Sequence, residues 1–270
     1  MKLCRFQPLE FAIKDVGRAG HEVHAQTFTG IAEDGFVLEM RGGLFGAHER
    51  TGRKWPVAEV KFLAPSVPTK VVCVGKNYHD HIKEMESTAP KEPLIFLKPP
   101  SSILAPEDPI VLPRLSQRVE YEGEIAVVIG RRCFHLRDNE DVNPYILGYT
   151  ALNDVTARDL QRSDLQWSRA KGFDTFCPFG PVIETVRPAD DARVESFVNG
   201  AAKQSAPISD MIFPIDTIIR WITQAMTLEP GDVIATGTPG GVGPLSPRDV
   251  VEVRVSGVGT LRNPVVGTQD

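Results

Sequence analysis

VEYEGEIAVVIG, residues 119–130, places Glu120, Glu122 and Glu124 at every second position and then runs into an apolar stretch. Its β-branched content marks a strand. On a strand, residues two apart face the same way with Cα atoms roughly 7 Å apart, so Glu122 and Glu124 can converge on one point. That geometry suits a hard divalent cation. The plain alternative is a solvated strand face. Two features weigh against it: no Lys or Arg lies between the three acids to offset their repulsion, and AVVIG is too apolar for a fully exposed strand. Gly123 removes a side chain where another group can approach closely.

A third carboxylate comes from NDVTARDLQ, where Asp154 stands at the junction of the strand YILGYTALND and a helix beginning near TARDLQ. Its ordinary role there is helix N-cap, but Thr156 with Asp159 fits a capping box and leaves Asp154 free. Three carboxylates with a few waters suit Mg²⁺ or Mn²⁺; zinc prefers His or Cys, and neither lies near. In NYHDHIKEM, His81 and Glu84 are three apart and share a helix face, so the carboxylate can orient the imidazole as a general base. The other reading is an HxH metal pair of His79 and His81, for which His135 is the one later histidine. HEVH, residues 21–24, has the wrong spacing for HExxH. Lys171, in RAKGFDTFCPFG, follows a helix and precedes an aromatic segment. ATGTPGGVGPL, residues 235–245, lacks GK[ST] and is no P-loop; it is either a tight turn or a carboxylate cradle built from backbone NH groups and the Thr238 hydroxyl.

The rest of the 270 residues bound the context. Hydrophobic content of 41%, charged content of 24% and a net charge of -5 are those of an ordinary globular protein and give no case for nucleic acid or anionic membrane. Four scattered cysteines without a CxxC read as reduced, buried thiols, and the N-terminus lacks a signal-peptide core, so a cytoplasmic protein with small partners is expected. Residues 1–65, with FAIKDV, HEVHAQTF and GFVLEM broken by RGGLFG, predict a small β-rich N-terminal domain; LAPSVPTK links it to residues 66–270. There KVVCVG, DVIATGTP, VVEVRV and GTLRNPVV read as strands. FLKPPSSILAPEDPIVLP is loop with brief edge strands, and FPIDTIIRWITQAMTL is a helix. The fold class is α+β, dominated by β-structure.

VGKNYHDHIKEM, FLKPPSS, VEYEGEIAVVIG, LNDVTARDLQ, SRAKGFDTFCPFGP and ATGTPGGVG, in that order, resemble the fumarylacetoacetate hydrolase family from about Lys70 onward. The resemblance implies a mixed β-sandwich roll with a small N-terminal domain, assembled as a homodimer. It implies metal ligands Glu122, Glu124 and Asp154, and a catalytic dyad of His81 and Glu84 in a lid that orders on ligand binding. Lys171, Arg158, Gln161, Gly237 and Thr238 fall where the family contacts substrate or supports those ligands. Fumarylacetoacetases proper are longer and carry an aspartate near the start of the histidine segment, where this sequence has GKNY. That points to the shorter branch of acylpyruvate hydrolases, oxaloacetate decarboxylases and dienedioate isomerases. The implied chemistry is Mg²⁺-dependent action on a 2-oxo acid through an enolate. Hydrolysis of an acylpyruvate carbon-carbon bond leads, with isomerisation or decarboxylation next and a silent keto-acid binder as the reading from another class.

Overall fold

The computed structural model describes residues 1–12 and 26–268. Among them, one 12-stranded sheet runs in the order Glu49–Pro56, Phe36–Arg41, Phe28–Glu33, Lys2–Pro8, Cys177–Glu184, Ile146–Asn153, Gly123–Ile129, Val233–Ala235, Val71–Gly75 and Leu94–Lys98, with two short strands attached at its side. A 5-stranded sheet built around Arg193–Val198 and Val250–Val255 packs beside it, and a 3-stranded one joins Val119–Tyr121 to Thr156–Ala157 and Gly243–Pro244. The N-terminal strands extend the large sheet, because Lys2 and Leu3 pair with Glu184 and Ile183. Of FAIKDV, expected as a strand, Phe11 and Ala12 instead end a helical turn at Leu9–Ala12, and its other residues lie outside the described ones, as do HEVH and most of the surrounding segment.

The apolar run after Glu124 is explained by burial on both faces. Ile125, Val127 and Ile129 join a core shared with the helix Ile215–Ala225, while Ala126 and Val128 join a second core on the opposite face. The neighbouring strands divide the same way, Val72, Val74 and Ile234 to one core and Val71, Cys73, Val233 and Ala235 to the other. The helix presents Ile215, Ile218, Ile219 and Ile222, buried at i, i+3, i+4 and i+7. Each such side chain contributes about 1.5–3 kcal/mol by leaving water.

VEYEGEIAVVIG is not one strand. It breaks at Glu122, with Val119–Tyr121 in the small sheet and Gly123–Ile129 in the large one. Glu120 and Glu122 share Arg158 across the break, while Glu124 accepts from the Gly237 N–H. The expected capping box also fails to form: the helix Arg158–Ser163 has Ala157 at its N-cap without a side-chain cap. Thr156 donates to the Asp154 carbonyl, and Asp159 accepts from Ser116 and Gln117. Asp154 escapes capping because the helix starts four residues later.

Candidate metal centre and catalytic site

Sheet register assembles the site at one edge. Val71–Gly75 and Val233–Ala235 are parallel and end together, at the edge where Gly123–Ile129 begins and Ile146–Asn153 ends. Four loops therefore converge there, carrying the histidine helix, Thr238, Glu122 and Asp154. Hydrogen bonds fix their separation: Asp154 N–H donates to the Glu122 carbonyl at 2.8 Å, and Glu122 N–H donates to Asn153 Oδ1 at 2.9 Å. Glu122, Glu124 and Asp154 are all buried, with one carboxylate oxygen from each within 4.8 Å of the others.

The cations missing from the strand arrive from elsewhere in the chain. Arg158, 1% exposed, inserts between Glu120 and Glu122 and also donates to Gln161 Oε1. Lys171 donates to Glu122 Oε2 at 2.8 Å and to Asp154 Oδ2 at 2.6 Å. Lys98, equally buried, holds Asp154 Oδ1 and the Val155 carbonyl. Glu120 thus faces the arginine, with Arg118 on its outer side, and leaves Glu122, Glu124 and Asp154 as the cluster.

Four buried carboxylates against three buried cations leave one negative charge, and it falls on Glu124. This carboxylate accepts from Gly237 N–H at 2.7 Å and has no ion-pair partner among the described residues. Burial, reinforced by Asp154 and Glu122, raises its pKa well above the ordinary value. Burial acts the same way on Glu122, but Lys171 and Arg158 outweigh it and hold that carboxyl low. Lys171 loses stability as a cation by burial and regains it from Asp154 and Glu122, so its pKa is raised and it stays protonated. An all-carboxylate oxygen set with one uncompensated negative charge fits a hard divalent ion.

His81 lies on the helix His79–Glu84 and is buried against this cluster. Burial pushes its pKa down; Glu122 pulls it up, while Arg158 and Lys171 press it further down. His81 Nδ1 stands 3.6 Å from Glu84 Oε2, beyond hydrogen-bond length, and is buried without another partner. Glu84 accepts from Gly241 N–H at 3.0 Å and lines a separate cavity of about 730 Å³ together with His79 and Asp210. The root of the helix is pinned by Asn77, whose amide bridges Phe213 and the Thr236 carbonyl. Gly237, at φ +102°, permits that approach, since a Cβ there would lie 2.6 Å from Asn77 Cβ.

Thr238 donates its hydroxyl proton to the Gly123 carbonyl and accepts from Gln204 Nε2. Gln204 Oε1 in turn accepts from Gly123 N–H and Ser196. Gly123 is therefore where the 5-stranded sheet touches the centre: a Cβ there would lie 2.1 Å from Ser196 Oγ. One cavity collects His81, Glu122, Glu124, Asp154, Arg158, Gln161, Lys171 and Thr238. Glu84 and the Gly237 amide border it without lining it. Lys98, Glu120 as the holder of Arg158, and Gln204 join the site without a sequence-based expectation. A lysine ending the apolar FLK strand was a readable sign for the first; Gln204 gives none.

A match to the fumarylacetoacetate (FAA) hydrolase C-terminal family spans residues 70–266 and includes every one of these residues. The chain belongs to the fumarylacetoacetate hydrolase family. A second match, to the Rv2993c-like N-terminal family, covers residues 22–65. Protein Rv2993c of Mycobacterium tuberculosis is 54% identical over 225 residues, covering 82% of this chain and 84% of its own. Human mitochondrial oxaloacetate tautomerase FAHD2A is 44% identical over 224 residues, 78% of this chain and 71% of the relative. The crystal structure of 2-hydroxyhepta-2,4-diene-1,7-dioate isomerase from Mycobacterium marinum superposes with a TM-score of 0.87 at 42% identity, covering 100% of both chains. The strand-dominated architecture is thus that of the fumarylacetoacetate hydrolase family, whose members named here include enzymes.

Proposed function

We propose that this protein is a Mg²⁺- or Mn²⁺-dependent enzyme that enolises 2-oxo acids, with keto–enol tautomerisation or double-bond isomerisation as its reaction. The observation that carries this is the enclosure of Glu122, Glu124 and Asp154 with Lys171 and His81 in one cavity. The tautomerase and isomerase named among the relatives support it. When bound, a divalent cation held by the three carboxylates supplies Lewis acidity toward the keto and carboxylate oxygens.

The chain's own residues do the rest. Lys171, held between Glu122 and Asp154, is placed to stabilise negative charge developing on the substrate. His81, kept neutral by burial, moves the proton at C3; its Nδ1 faces Glu84, which leaves Nε2 for the substrate. Arg158, fixed by Glu120, Glu122 and Gln161, holds Glu122 in place. The Thr238 loop, fixed by Gln204, presents backbone to the substrate carboxylate.

Hydrolysis of an acylpyruvate is the second reading. It is favoured by Glu84, which borders the wide cavity on the far side of the helix and can pass water toward His81. A lactate dehydrogenase-coupled assay separates the reactions. Metal-dependent pyruvate from acetylpyruvate establishes hydrolysis, and pyruvate from oxaloacetate alone establishes decarboxylation. Enol–keto exchange without pyruvate establishes tautomerisation. No turnover of either compound, with oxalate still binding, excludes tautomerisation, hydrolysis and decarboxylation; no turnover of a hydroxydienedioate as well would leave a silent binder and sink the proposal.

A further inference from the structure

Part of the cavity wall has no role in these steps. Gly75, Lys76, Met85, Phe96 and Trp167 line the same cavity as the carboxylates. Ring contacts show how they lead outward: Lys171 Nζ lies 5.0 Å from the centre of Phe96, and Phe96 meets Trp167 edge-on at 5.3 Å. Trp167 then covers Gly75, where a Cβ would come within 2.9 Å of the indole. Lys76 follows at the partly exposed end. Its backbone takes φ +58°, a conformation that a lysine adopts at a cost and that recurs where a residue clamps a ligand. Its ammonium donates to the Ser87 hydroxyl at 2.6 Å and meets no carboxylate among the described residues. A half-buried cation thus stands beyond an aromatic passage, with a neutral hydroxyl as its partner.

We infer that Lys76 is a specificity-determining residue that binds the outer carboxylate of a short 2-oxo dicarboxylate. The inference rests on the 2-oxo acid reading above. The inner carboxylate and keto group face the metal centre, the methylene lies along Phe96, Trp167 and Met85, and the outer carboxylate replaces the Ser87 hydroxyl on Lys76. The enclosed space is small, about 60 Å³, which favours a short diacid over a longer dioate.

The test is calorimetric titration of the Mg²⁺-loaded protein with three probes: oxalate, which reaches the metal but not Lys76; oxaloacetate; and oxaloacetate 4-ethyl ester, which keeps the skeleton and loses the outer charge. Lys76→Gln is expected to leave oxalate within about twofold and to weaken oxaloacetate by about tenfold to a hundredfold, the size of one charge-assisted hydrogen bond. It also abolishes the preference for oxaloacetate over its ester. Lys76→Asn, which tolerates positive φ, reproduces the loss if folding is not the cause, and Lys76→Arg restores most of the preference. Equal weakening of diacid and ester, or no weakening of either, overturns the assignment. Failure of oxalate to bind the wild-type protein in a metal-dependent way would sink the functional reading itself, separately from Lys76.

Discussion

Glu124 is the place where metal binding and stability meet. Glu122 and Asp154 already have Lys171, Arg158 and Lys98 beside them, whereas Glu124 has a single backbone N–H. Two unit charges at the 4.8 Å limit of the cluster repel by about 3.5 kcal/mol at an effective dielectric near 20. Lys171 offsets part of this, so Glu124→Gln, which keeps the acceptor for Gly237 N–H, should stabilise the metal-stripped protein by about 1–3 kcal/mol at neutral pH. For a chain of this size that is roughly 2–10 °C in Tm. The pH dependence has a definite sign. A carboxyl whose folded pKa lies above its unfolded value of 4.5 contributes stability below that value and loses it as pH rises through the folded pKa, so the advantage of the glutamine grows from acid toward neutral pH. Metal reverses the order. At a hundred times Kd, Mg²⁺ or Mn²⁺ adds about 2.7 kcal/mol to the wild type, and the variant, short of one ligand, gains far less. The assay is thermal unfolding of both proteins in EDTA and in saturating metal. A variant less stable than wild type in EDTA, or equally stabilised by metal, would refute the reasoning.

His81→Ala is expected to lower kcat by about 10²–10⁴-fold while Mn²⁺ affinity, measured by paramagnetic resonance, stays within about threefold; loss of both would mean that the histidine is a ligand. NMR titration of the His81 imidazole should find its midpoint below the ordinary 6.5, so the neutral base persists into mildly acid solution, and Lys171→Met should move it upward by removing a depressing charge. A midpoint that stays put in the lysine variant contradicts the assigned electrostatics. Gly123→Ala forces a Cβ onto Ser196 Oγ and should cost about 1–3 kcal/mol in denaturant unfolding, with Ser196→Gly recovering much of it; an unaffected single variant would show that the contact is not tight.

The site was legible where the sequence carried alternation or fixed spacing. Glu122 and Glu124 could be placed on one face from their period of two, and the helix Ile215–Ala225 from its period near 3.6. The compensating charge was not legible, because Arg158, Lys171 and Lys98 come from segments 36, 49 and 56 residues from their carboxylate partners and meet them only through sheet register. The break at Glu122 escaped for the same reason: local propensity makes the whole stretch a strand, and only pairing with Thr156–Ala157 on one side and Ile146–Asn153 on the other divides it. Glu120 and Glu122 share a face in the pattern and share Arg158 in the fold, so the period was informative while the inferred partner was incomplete.

The central claim is metal-dependent enolisation at the three-carboxylate centre. Its most direct measurement is the decay of enol absorbance from freshly dissolved oxaloacetate, in Mg²⁺ and in EDTA, for wild type, Glu122→Ala and Glu124→Ala, against Mg²⁺ without protein. The account predicts catalysis by the wild type only with Mg²⁺, reduced to the protein-free rate in both variants. Catalysis that survives EDTA, or that persists in either variant with Mg²⁺, would contradict it.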